Sequence, residues 1–387
     1  MADRFSRRKK EKQQDAFFDY TLLFIVLFLL GFGLIMLYST SSYEANLEHH
    51  DAAYYLKKQL SASILGLIVM MVVANIPYHF WERFAALGYG VSAGLILLVL
   101  TPLGMEAGGA RRWINVLGVS LQPAEVAKLA MILFLASLVC KMGKGIRTGK
   151  GFMIMLLVPL PICAEIYFIT NNLSSAIIIF GISVLMLFVS SPDYKRFVLI
   201  ALAVLAIGAL GIYLIVHAAD SDSLSFRGGR ILAWLDPEAY ADGKGFQTLQ
   251  ALYAIGSGGI WGKGLGHSMQ KLGFLPEAQN DMIFSIICEE LGLFGATAII
   301  LLFVLMVWRF MVIANNASDL FGAMLVVGVM GHIAIQVILN IAVVTNTIPN
   351  TGISLPFISY GGSSVMFLLI EMGIVLSVGK GIKLKDL

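Results

Sequence analysis

What this chain has least of is charge. Only 13% of its 387 residues are Asp, Glu, Lys or Arg, whereas soluble globular domains have about 25%. Because 58% of the residues are hydrophobic, the composition excludes a soluble globular enzyme. The net charge of +3 is too small to indicate binding to nucleic acid.

Cysteine is also scarce. Cys140, Cys163 and Cys288 each lie alone in an apolar run, with no CxxC spacing. This pattern indicates neither a disulfide framework nor a zinc site. The six histidines have no metal-ligand spacing either, so the residues themselves predict no metal site.

In place of charge, the chain has repeated apolar runs that are long enough to cross a bilayer as helices. The pattern predicts an all-α polytopic membrane protein with ten transmembrane helices. The runs are Tyr20–Tyr38, Leu60–Ala74, Phe84–Leu100, Val126–Val139, Phe152–Ile169, Leu173–Val189, Phe197–Val216, Met282–Val312, Leu320–Val344 and Ser363–Val378.

Ten helices place both termini on one side of the membrane. Of the 27 lysines and arginines, about two thirds lie on the side of the N-terminus, and such an excess is typical of cytoplasmic segments. We therefore expect both termini to be cytoplasmic, with residues 1–19 as a basic tail and residues 20–387 as a single membrane domain. Residues 218–281 then form one large extracellular loop between helices 7 and 8, far longer than a turn requires.

Polar residues near the outer ends of these helices are candidates for function, because each is costly to place in hydrocarbon. Arg111, in the extracellular stretch before helix 4, is suited to gripping phosphate or pyrophosphate. Glu125 and Lys128 are three residues apart at the start of helix 4 and can form an ion pair on one helix face. The alternative is a lipid-headgroup anchor for the arginine and a purely structural ion pair.

The glycine-rich run Gly256–Gly266 superficially resembles a phosphate-binding loop. Lys263 is followed by Gly264 instead of Ser or Thr, and no strand precedes the run, so it lacks the features of a P-loop. We predict tight backbone turns, or close packing against a substrate or the membrane surface. A plain loop is the alternative.

Asp281 is the best single candidate for chemistry. It lies at the extracellular end of the eighth helix, where partial desolvation tunes a carboxylate toward a general base. The alternative is an ordinary N-cap for that helix. A glycosidase-like pair with Glu289 is disfavoured, because eight residues of helix span about 12 Å, beyond the roughly 5 to 9.5 Å between such carboxylates.

The stretch Thr347–Ser364, between the last two helices, has two prolines and three glycines. Irregular backbone at membrane depth occurs where it lines a cavity or is buried in protein. We expect it to wall a cavity open to the outside, with Ser359, Tyr360, Ser363 and Ser364 supplying hydrogen bonds. A rigid re-entrant turn without a ligand is the alternative.

Several long motifs, in order along the chain, resemble the SEDS family of shape, elongation, division and sporulation proteins. The resemblance extends from Tyr20 to Lys385, and the HSMQKLGFLPEA and FISYGGSS segments are more similar to its FtsW and SpoVE branch than to RodA. The motifs are GARRWI (Gly109–Ile114) with QPAEVAKL (Gln122–Leu129), GFQTLQALYAIGSGGIWGKGLG (Gly245–Gly266), FLPEAQNDMIF (Phe274–Phe284) with EELG (Glu289–Gly292), and TGISLPFISYGGSS (Thr351–Ser364).

The resemblance implies a ten-helix enzyme of the bacterial plasma membrane that polymerises lipid II into β-1,4 glycan strands, in septal or sporulation wall synthesis. Its implied partners are a class B penicillin-binding transpeptidase and other division or elongation membrane proteins. By motif, Asp281 corresponds to the family's essential aspartate. The implied substrate-binding residues are Arg111, Glu125, Lys128, Gln250, Ser257, Ser359, Tyr360, Ser363 and Ser364.

One departure from the family pattern concerns the sixth helix. The family often has a Pro-Asp pair at its start, whereas this chain has Asn171-Asn172. A carboxylate at that position therefore cannot be essential to this protein.

The implied reaction agrees with the predicted topology, because a polyprenyl-linked substrate lies in the membrane with its sugars outside. Asp281 would take the proton from the GlcNAc 4-hydroxyl, and Arg111, Lys128 or a divalent cation, Mg or Mn, would stabilise the departing pyrophosphate. Two other functions stay open. A lipid II flippase would use the intramembrane carboxylates and Lys128 as a polar path, and a non-enzymatic scaffold would recruit a transpeptidase.

Overall fold

The computed structural model describes residues 18–107, 110–116, 119–191, 193–217 and 226–382. Helices make up most of this part of the chain. They are α1 (Tyr20–His49), α2 (Tyr54–Asn75), α3 (His79–Glu82), α4 (Ala85–Leu98), α5 (Pro123–Met142), α6 (Gly149–Leu157), α7 (Leu160–Ile169), α8 (Leu173–Ser190), α9 (Tyr194–His217), α10 (Phe226–Leu235), α11 (Phe246–Gly258), α12 (Ile283–Asn315), α13 (Leu320–Val344) and α14 (Gly362–Gly379). The strands are β1 (Gly104–Ala107), β2 (Ala110–Val116) and β3 (Val119–Leu121).

Within the described residues, nine helical segments are long and apolar enough to cross a membrane by length and composition, with α6 and α7 forming one of them. A tenth apolar helix, α4, matches the third predicted span but has only 14 residues. At 1.5 Å per residue it is about 21 Å long. The predicted all-helical membrane fold is therefore confirmed, with one span shorter than the rest.

Two of the predicted spans differ most clearly from the helices of the structure. The fifth predicted span, Phe152–Ile169, is divided into α6 and α7 at Pro159, which lacks an amide hydrogen and whose ring obstructs a continuous helix. α1 extends to His49, well beyond the predicted end at Tyr38. Hydropathy does not detect its last turns, since their residues are largely polar.

Side chains at the helix ends opposite the large loop fasten the bundle. The Asp19 carboxylate accepts a hydrogen bond from the amide of Leu22, which caps α1, and forms an ion pair of 2.7 Å with Arg309 of α12. Along the bundle, α14 lies close against α2, since a Cβ atom on Gly373 would be 2.7 Å from the carbonyl oxygen of Met70. In contrast, α9 buries none of its residues against the protein.

A three-stranded antiparallel sheet, which the sequence did not predict, fills the connection between α4 and α5. β2 is central and pairs with β1 and β3. Ala110 and Ile114 of β2 are buried, while Arg111 and Asn115 are exposed, which is the alternation of a strand with one covered face. The sheet, α10, α11 and residues 345–361 lie at the same end of the bundle, which we call the loop end.

Candidate active site

The backbone before α12 is held in place at three consecutive carbonyl oxygens. The carbonyl of Gln279 accepts a hydrogen bond of 2.9 Å from the amide of Tyr360, and that of Asn280 accepts one of 2.6 Å from the Ser359 hydroxyl. The carbonyl of Asp281 accepts one of 2.8 Å from the side-chain amide of Asn340. Residues 345–361 and α13 together therefore fix the position from which the Asp281 side chain projects.

The Asp281 carboxyl group is half-buried, and its Oδ1 atom is buried with no hydrogen-bond partner among the described residues. Burial, together with the nearby charge of Glu277, raises the pKa of Asp281 to about 7. The N-cap of α12 is Met282, and no side chain caps the helix. Asp281 therefore does not serve as the N-cap that the sequence also allowed, and its carboxylate is left available as a base near neutral pH.

A cleft of about 250 Å³ opens beside this segment. Arg230 of α10 contributes positive charge that acts on Asp281 and also donates a hydrogen bond of 3.3 Å to the carbonyl of Asn350. The cleft is lined by Arg230, Trp234, Gly243, Lys244, Phe246, Gln247, Thr248, Pro276 and Asn350. Asp281 is not part of this lining, but Arg230 is close enough for its charge to act on the Asp281 carboxylate. Cationic side chains such as Arg230 and Lys244 are suited to a substrate that carries phosphate.

Asn340, on α13, joins this site to residues 345–361. Its side-chain amide donates to the carbonyl of Asp281 and also to that of Ile353, at 2.6 Å. Asn340 is fully buried, and its Oδ1 atom has no partner in the described part of the chain. Buried polar atoms are nearly always paired, so the unpartnered oxygens of Asp281 and Asn340 are two acceptors that a substrate hydroxyl could satisfy.

The predicted pair of Glu125 and Lys128 is confirmed at 2.8 Å, with both side chains buried. Ser364 donates to the other oxygen of Glu125 at 3.4 Å, and the Lys128 ammonium donates to Gln336 of α13 at 3.4 Å. Lys128 is only 2% exposed. In this structure the pair thus lies beneath the site and ties α5 to α13 and α14.

The glycine-rich run packs against a break in α12. Gly292 has φ +66°, and the break leaves the carbonyls of residues 289 and 290 and the amides of residues 293 and 294 without their helical partners. The amides of Lys263 and Gly264 donate to those two carbonyls at 2.9 Å. The amides of Leu293 and Phe294 donate to the carbonyls of Gly259 and Ile260. All four groups are therefore satisfied by the run. Its described contacts are with α12, whereas a substrate or the membrane surface was predicted, and the positive φ angles of four of its glycines agree with the predicted tight turns.

Glycine is required where these two segments touch. Gly262 has φ +78°, and a Cβ atom there would be 2.2 Å from the carbonyl oxygen of Glu290. A Cβ atom on Gly292 would be 2.3 Å from the amide nitrogen of Gly262. The amides of the run that meet α12 are occupied by backbone carbonyls, so they are not a phosphate cradle.

The carboxylates of Glu289 and Glu290 are fully buried and paired with lysines of the same loop. Glu289 forms an ion pair of 2.7 Å with Lys263, and Glu290 forms one of 2.7 Å with Lys271. Ser257, a predicted substrate-binding residue, donates to Glu289 at 3.3 Å. These contacts hold the loop on α12. Neither carboxylate faces an open polar path of the kind that a flippase would use.

The other predicted residues lie at the loop end but in different surroundings. Arg111 is exposed on β2, and Gln250 is part exposed on α11. The Tyr360 ring packs edge-on against Tyr55, with centroids 5.1 Å apart, and burial raises the pKa of Tyr360. The hydroxyl of Ser363 is buried and has no partner among the described residues.

Two residues of the site were not singled out from the sequence. Arg230 is one of two arginines in the short loop helix α10, and a cation beside the apolar residues 231–235 was a usable signal. Asn340 follows Gln336 and His332 at intervals of four on α13, so three polar side chains share one face of an apolar helix. This periodicity predicts a polar seam, but the sequence does not tell which helices it faces.

Comparison with known proteins agrees with this arrangement. A family model for FtsW, RodA and SpoVE, described as cell cycle protein, matches residues 20–383. The chain is 40% identical over 363 residues to stage V sporulation protein E of Bacillus subtilis, covering 94% of this chain and 97% of that protein. It is 39% identical over 371 residues to a probable peptidoglycan glycosyltransferase FtsW of Trichlorobacter lovleyi, covering 96% and 95%.

Two solved structures share the fold. One chain, from a peptidoglycan synthase complex that coordinates polymerization and crosslinking, matches with a TM-score of 0.73 and 26% identity, covering 94% of this chain and 97% of that chain. The rod shape determining protein RodA of Thermus thermophilus matches with a TM-score of 0.65 and 25% identity, covering 94% and 96%. The chain therefore belongs to the SEDS family of FtsW, RodA and SpoVE cell cycle proteins.

Proposed function

We propose that this protein is a peptidoglycan glycosyltransferase that polymerises lipid II into β-1,4 glycan strands and releases undecaprenyl diphosphate. The observation that carries the proposal is Asp281: a half-buried carboxyl group with an unpartnered oxygen and a pKa near 7, beside a cationic cleft at the loop end. The similarity to FtsW proteins supports the same activity.

In the proposed reaction, the Asp281 carboxylate takes the proton from the 4-hydroxyl of GlcNAc in one lipid II molecule. The oxygen then attacks the anomeric carbon of MurNAc in a second molecule, and the bond from that carbon to the pyrophosphate breaks. The electron pair leaves with the pyrophosphate, and inversion at the anomeric carbon gives the β bond. Rigid placement of the base is what the three hydrogen bonds on residues 279–281 supply.

The leaving pyrophosphate needs charge stabilisation more than it needs a proton. Arg230 and Lys244 in the cleft, and Arg111 on the sheet at the loop end, are the cations we assign to it. Lys128 is buried against Glu125, so we assign it to holding the floor of the site. Gln250, Ser257 and the segment Ser359–Ser364 complete the proposed substrate-binding surface.

A divalent cation, Mg or Mn, is a separate part of the proposal. Among the described residues, no group of three His, Cys, Asp or Glu side chains is arranged to hold a metal. The mechanism above therefore has no step through a cation, and we propose that any metal requirement comes from the pyrophosphate of the substrate. Polymerisation measured with EDTA and with added Mg or Mn tests this.

The protein is a multi-pass membrane protein. We propose that both termini are cytoplasmic, that the loop end faces outward, and that the protein acts at the division septum or in sporulation. Because a structural relative belongs to a complex for polymerization and crosslinking, we propose a class B penicillin-binding transpeptidase as the partner, alongside other division or elongation membrane proteins.

The test is lipid II polymerisation by the purified full-length protein in lipid, with and without the transpeptidase. Asp281→Asn is compared with wild type at equal folded amounts. Asp193→Asn is the matched control, since Asp193 also directly precedes a membrane helix but pairs with Arg196. We expect glycan strands from wild type and the control and none from Asp281→Asn.

Two other outcomes would contradict the proposal. Normal polymerisation by Asp281→Asn would show that the carboxylate is not the base. Absence of glycan from wild type, even with the partner, would favour a flippase, which is tested by translocation of labelled lipid II in vesicles, or a scaffold, which is tested by co-purification with the transpeptidase.

A further inference from the structure

A second pair of ionisable residues lies in the middle of the bundle and has no part in the mechanism above. His332 is the central residue of α13, and Glu371 lies near the centre of α14. The His332 Nδ1 atom is 2.8 Å and 3.0 Å from the two carboxyl oxygens of Glu371. The two residues are 1% and 0% exposed. Ionisable groups inside a membrane span are costly and are usually functional.

Gln336, one turn from His332, connects this pair to the Glu125–Lys128 pair. Its Oε1 atom is 3.4 Å from the Lys128 ammonium and 2.9 Å from His332 Nε2. Its Nε2 atom donates to the carbonyl of Ser354 at 3.0 Å. An ammonium only donates and a carbonyl only accepts, so these neighbours fix which way the Gln336 amide is turned.

The amide orientation determines the protonation of the histidine. Because Gln336 presents an oxygen to His332, the Nε2 atom of His332 must carry a hydrogen. On the other side of the ring, the shared proton lies either on Nδ1, giving an imidazolium and a carboxylate, or on Glu371, giving a neutral pair. In both cases Nε2 keeps its hydrogen, so Glu371 holds the ring in the form that donates to Gln336.

We propose that His332 and Glu371 are positioning residues for the polymerisation reaction, acting through Gln336 on Lys128 and on Ser354. Lys128 holds Glu125, which in turn accepts from Ser364 at the start of α14. Ser354 belongs to residues 345–361, which fix Asp281. The pair thus supports Glu125 and Lys128 beneath the site and residues 345–361 beside Asp281. This inference rests on the proposed function.

Two double variants separate positioning from a purely structural role. His332→Leu with Glu371→Leu replaces a buried ionisable pair by apolar residues, a change that is often neutral for stability. It removes the histidine donor to Gln336 and leaves only the longer contact of 3.4 Å from Lys128. His332→Gln with Glu371→Gln is also uncharged and keeps an amide donor for Gln336. Both are compared with wild type for melting temperature and lipid II polymerisation in lipid.

We expect the leucine pair to fold and to lose about tenfold or more in kcat, with a smaller change in KM, because a displaced catalytic group lowers turnover. The glutamine pair should stay within about threefold of wild-type kcat. Wild-type kcat in a folded leucine pair would overturn the proposal. So would equal losses in both pairs, since the loss would then not follow the donor.

A measurement on the unaltered protein keeps the test decisive if the leucine pair does not fold. Nitrogen-15 NMR of histidine-labelled protein in bilayers reports whether each ring nitrogen carries a hydrogen, and His332→Gln identifies the His332 signals. A protonated Nε2 is expected, and an unprotonated Nε2 would overturn the inference. This readout needs no substrate, so failure of wild type to polymerise lipid II would instead contradict the proposed function.

Discussion

The side-chain amide of Asn340 donates a hydrogen bond of 2.8 Å to the carbonyl oxygen of Asp281, while its second hydrogen goes to the carbonyl of Ile353. One buried side chain thus sets the distance between the proposed base and the irregular segment that walls the cleft. Asn340 touches the backbone of Asp281 and leaves its carboxylate free for substrate.

Asn340→Leu removes both donors with little change in volume. We expect kcat to fall about tenfold or more while KM changes less, because displacement of a base by even 1 Å lowers turnover strongly. Polymerisation kinetics at matched folded amounts check this. Asn316→Leu, at the far end of α12, removes a comparable hydrogen bond to Val312 and should leave kcat unchanged; an equal loss in both variants would argue against the role of Asn340.

The rate should depend on pH through Asp281. Because burial and Glu277 raise its pKa to about 7, the base is protonated and inactive below that pH, and kcat/KM should rise with pH and level off above it. Glu277→Gln removes the neighbouring negative charge, so the midpoint should move to lower pH. Glu238→Gln, exposed in the same loop, is the control, and a midpoint common to all three proteins would exclude Asp281 as the titrating group.

Asp281 should also make the protein less stable at neutral pH. Its pKa is higher in the folded state, about 7, than the ordinary value of 3.8, so its ionisation opposes folding. This deficit is absent below pH 3.8, grows as the pH rises to about 7, and is constant above it. Asp281→Asn should therefore melt higher than wild type at pH 8, with the difference vanishing towards pH 4; a difference that is independent of pH would contradict the assignment.

Gly262→Ala should destabilise the loop end. The new Cβ atom meets the carbonyl of Glu290, and φ +78° strains any residue with a side chain, so we expect a loss on the order of 2 kcal/mol. Thermal unfolding in detergent measures it. Gly256→Ala is the control, because nothing lies within 4 Å of its Cβ position, and it should be neutral or slightly stabilising.

Hydropathy alone predicted the spans, and residue spacing predicted the ion pair of Glu125 with Lys128, because both depend on a single helix. Asp281 was predicted from its position just before an apolar run, and the motif resemblance identified it with the family's essential aspartate. The contact of His332 with Glu371 joins residues 39 positions apart, and it depends on which helix faces are packed together. No local pattern contains that information.

The three-stranded sheet and the position of Arg230 were missed for a related reason. β2 is short, and its alternation of buried and exposed residues follows from which face the bundle covers. Arg230 lies in a loop helix whose place beside Asp281 is set by contacts with residues 346–350. The sequence thus predicts which residues are unusual, whereas the packed helices decide which of them meet.

The break in α12 has a consequence for the order of assembly. A continuous helix would make two hydrogen bonds across Gly292, from the amides of residues 293 and 294 to the carbonyls of residues 289 and 290. These are replaced by four hydrogen bonds to residues 259–264, which are synthesised first. Residues 259–264 are therefore already synthesised when the backbone groups around Gly292 emerge. The break at membrane depth can then form with its hydrogen-bond partners present. Without residues 259–264, a helix with the same break would have no hydrogen-bond partners for those four groups. The loop and the broken helix therefore form one structural unit.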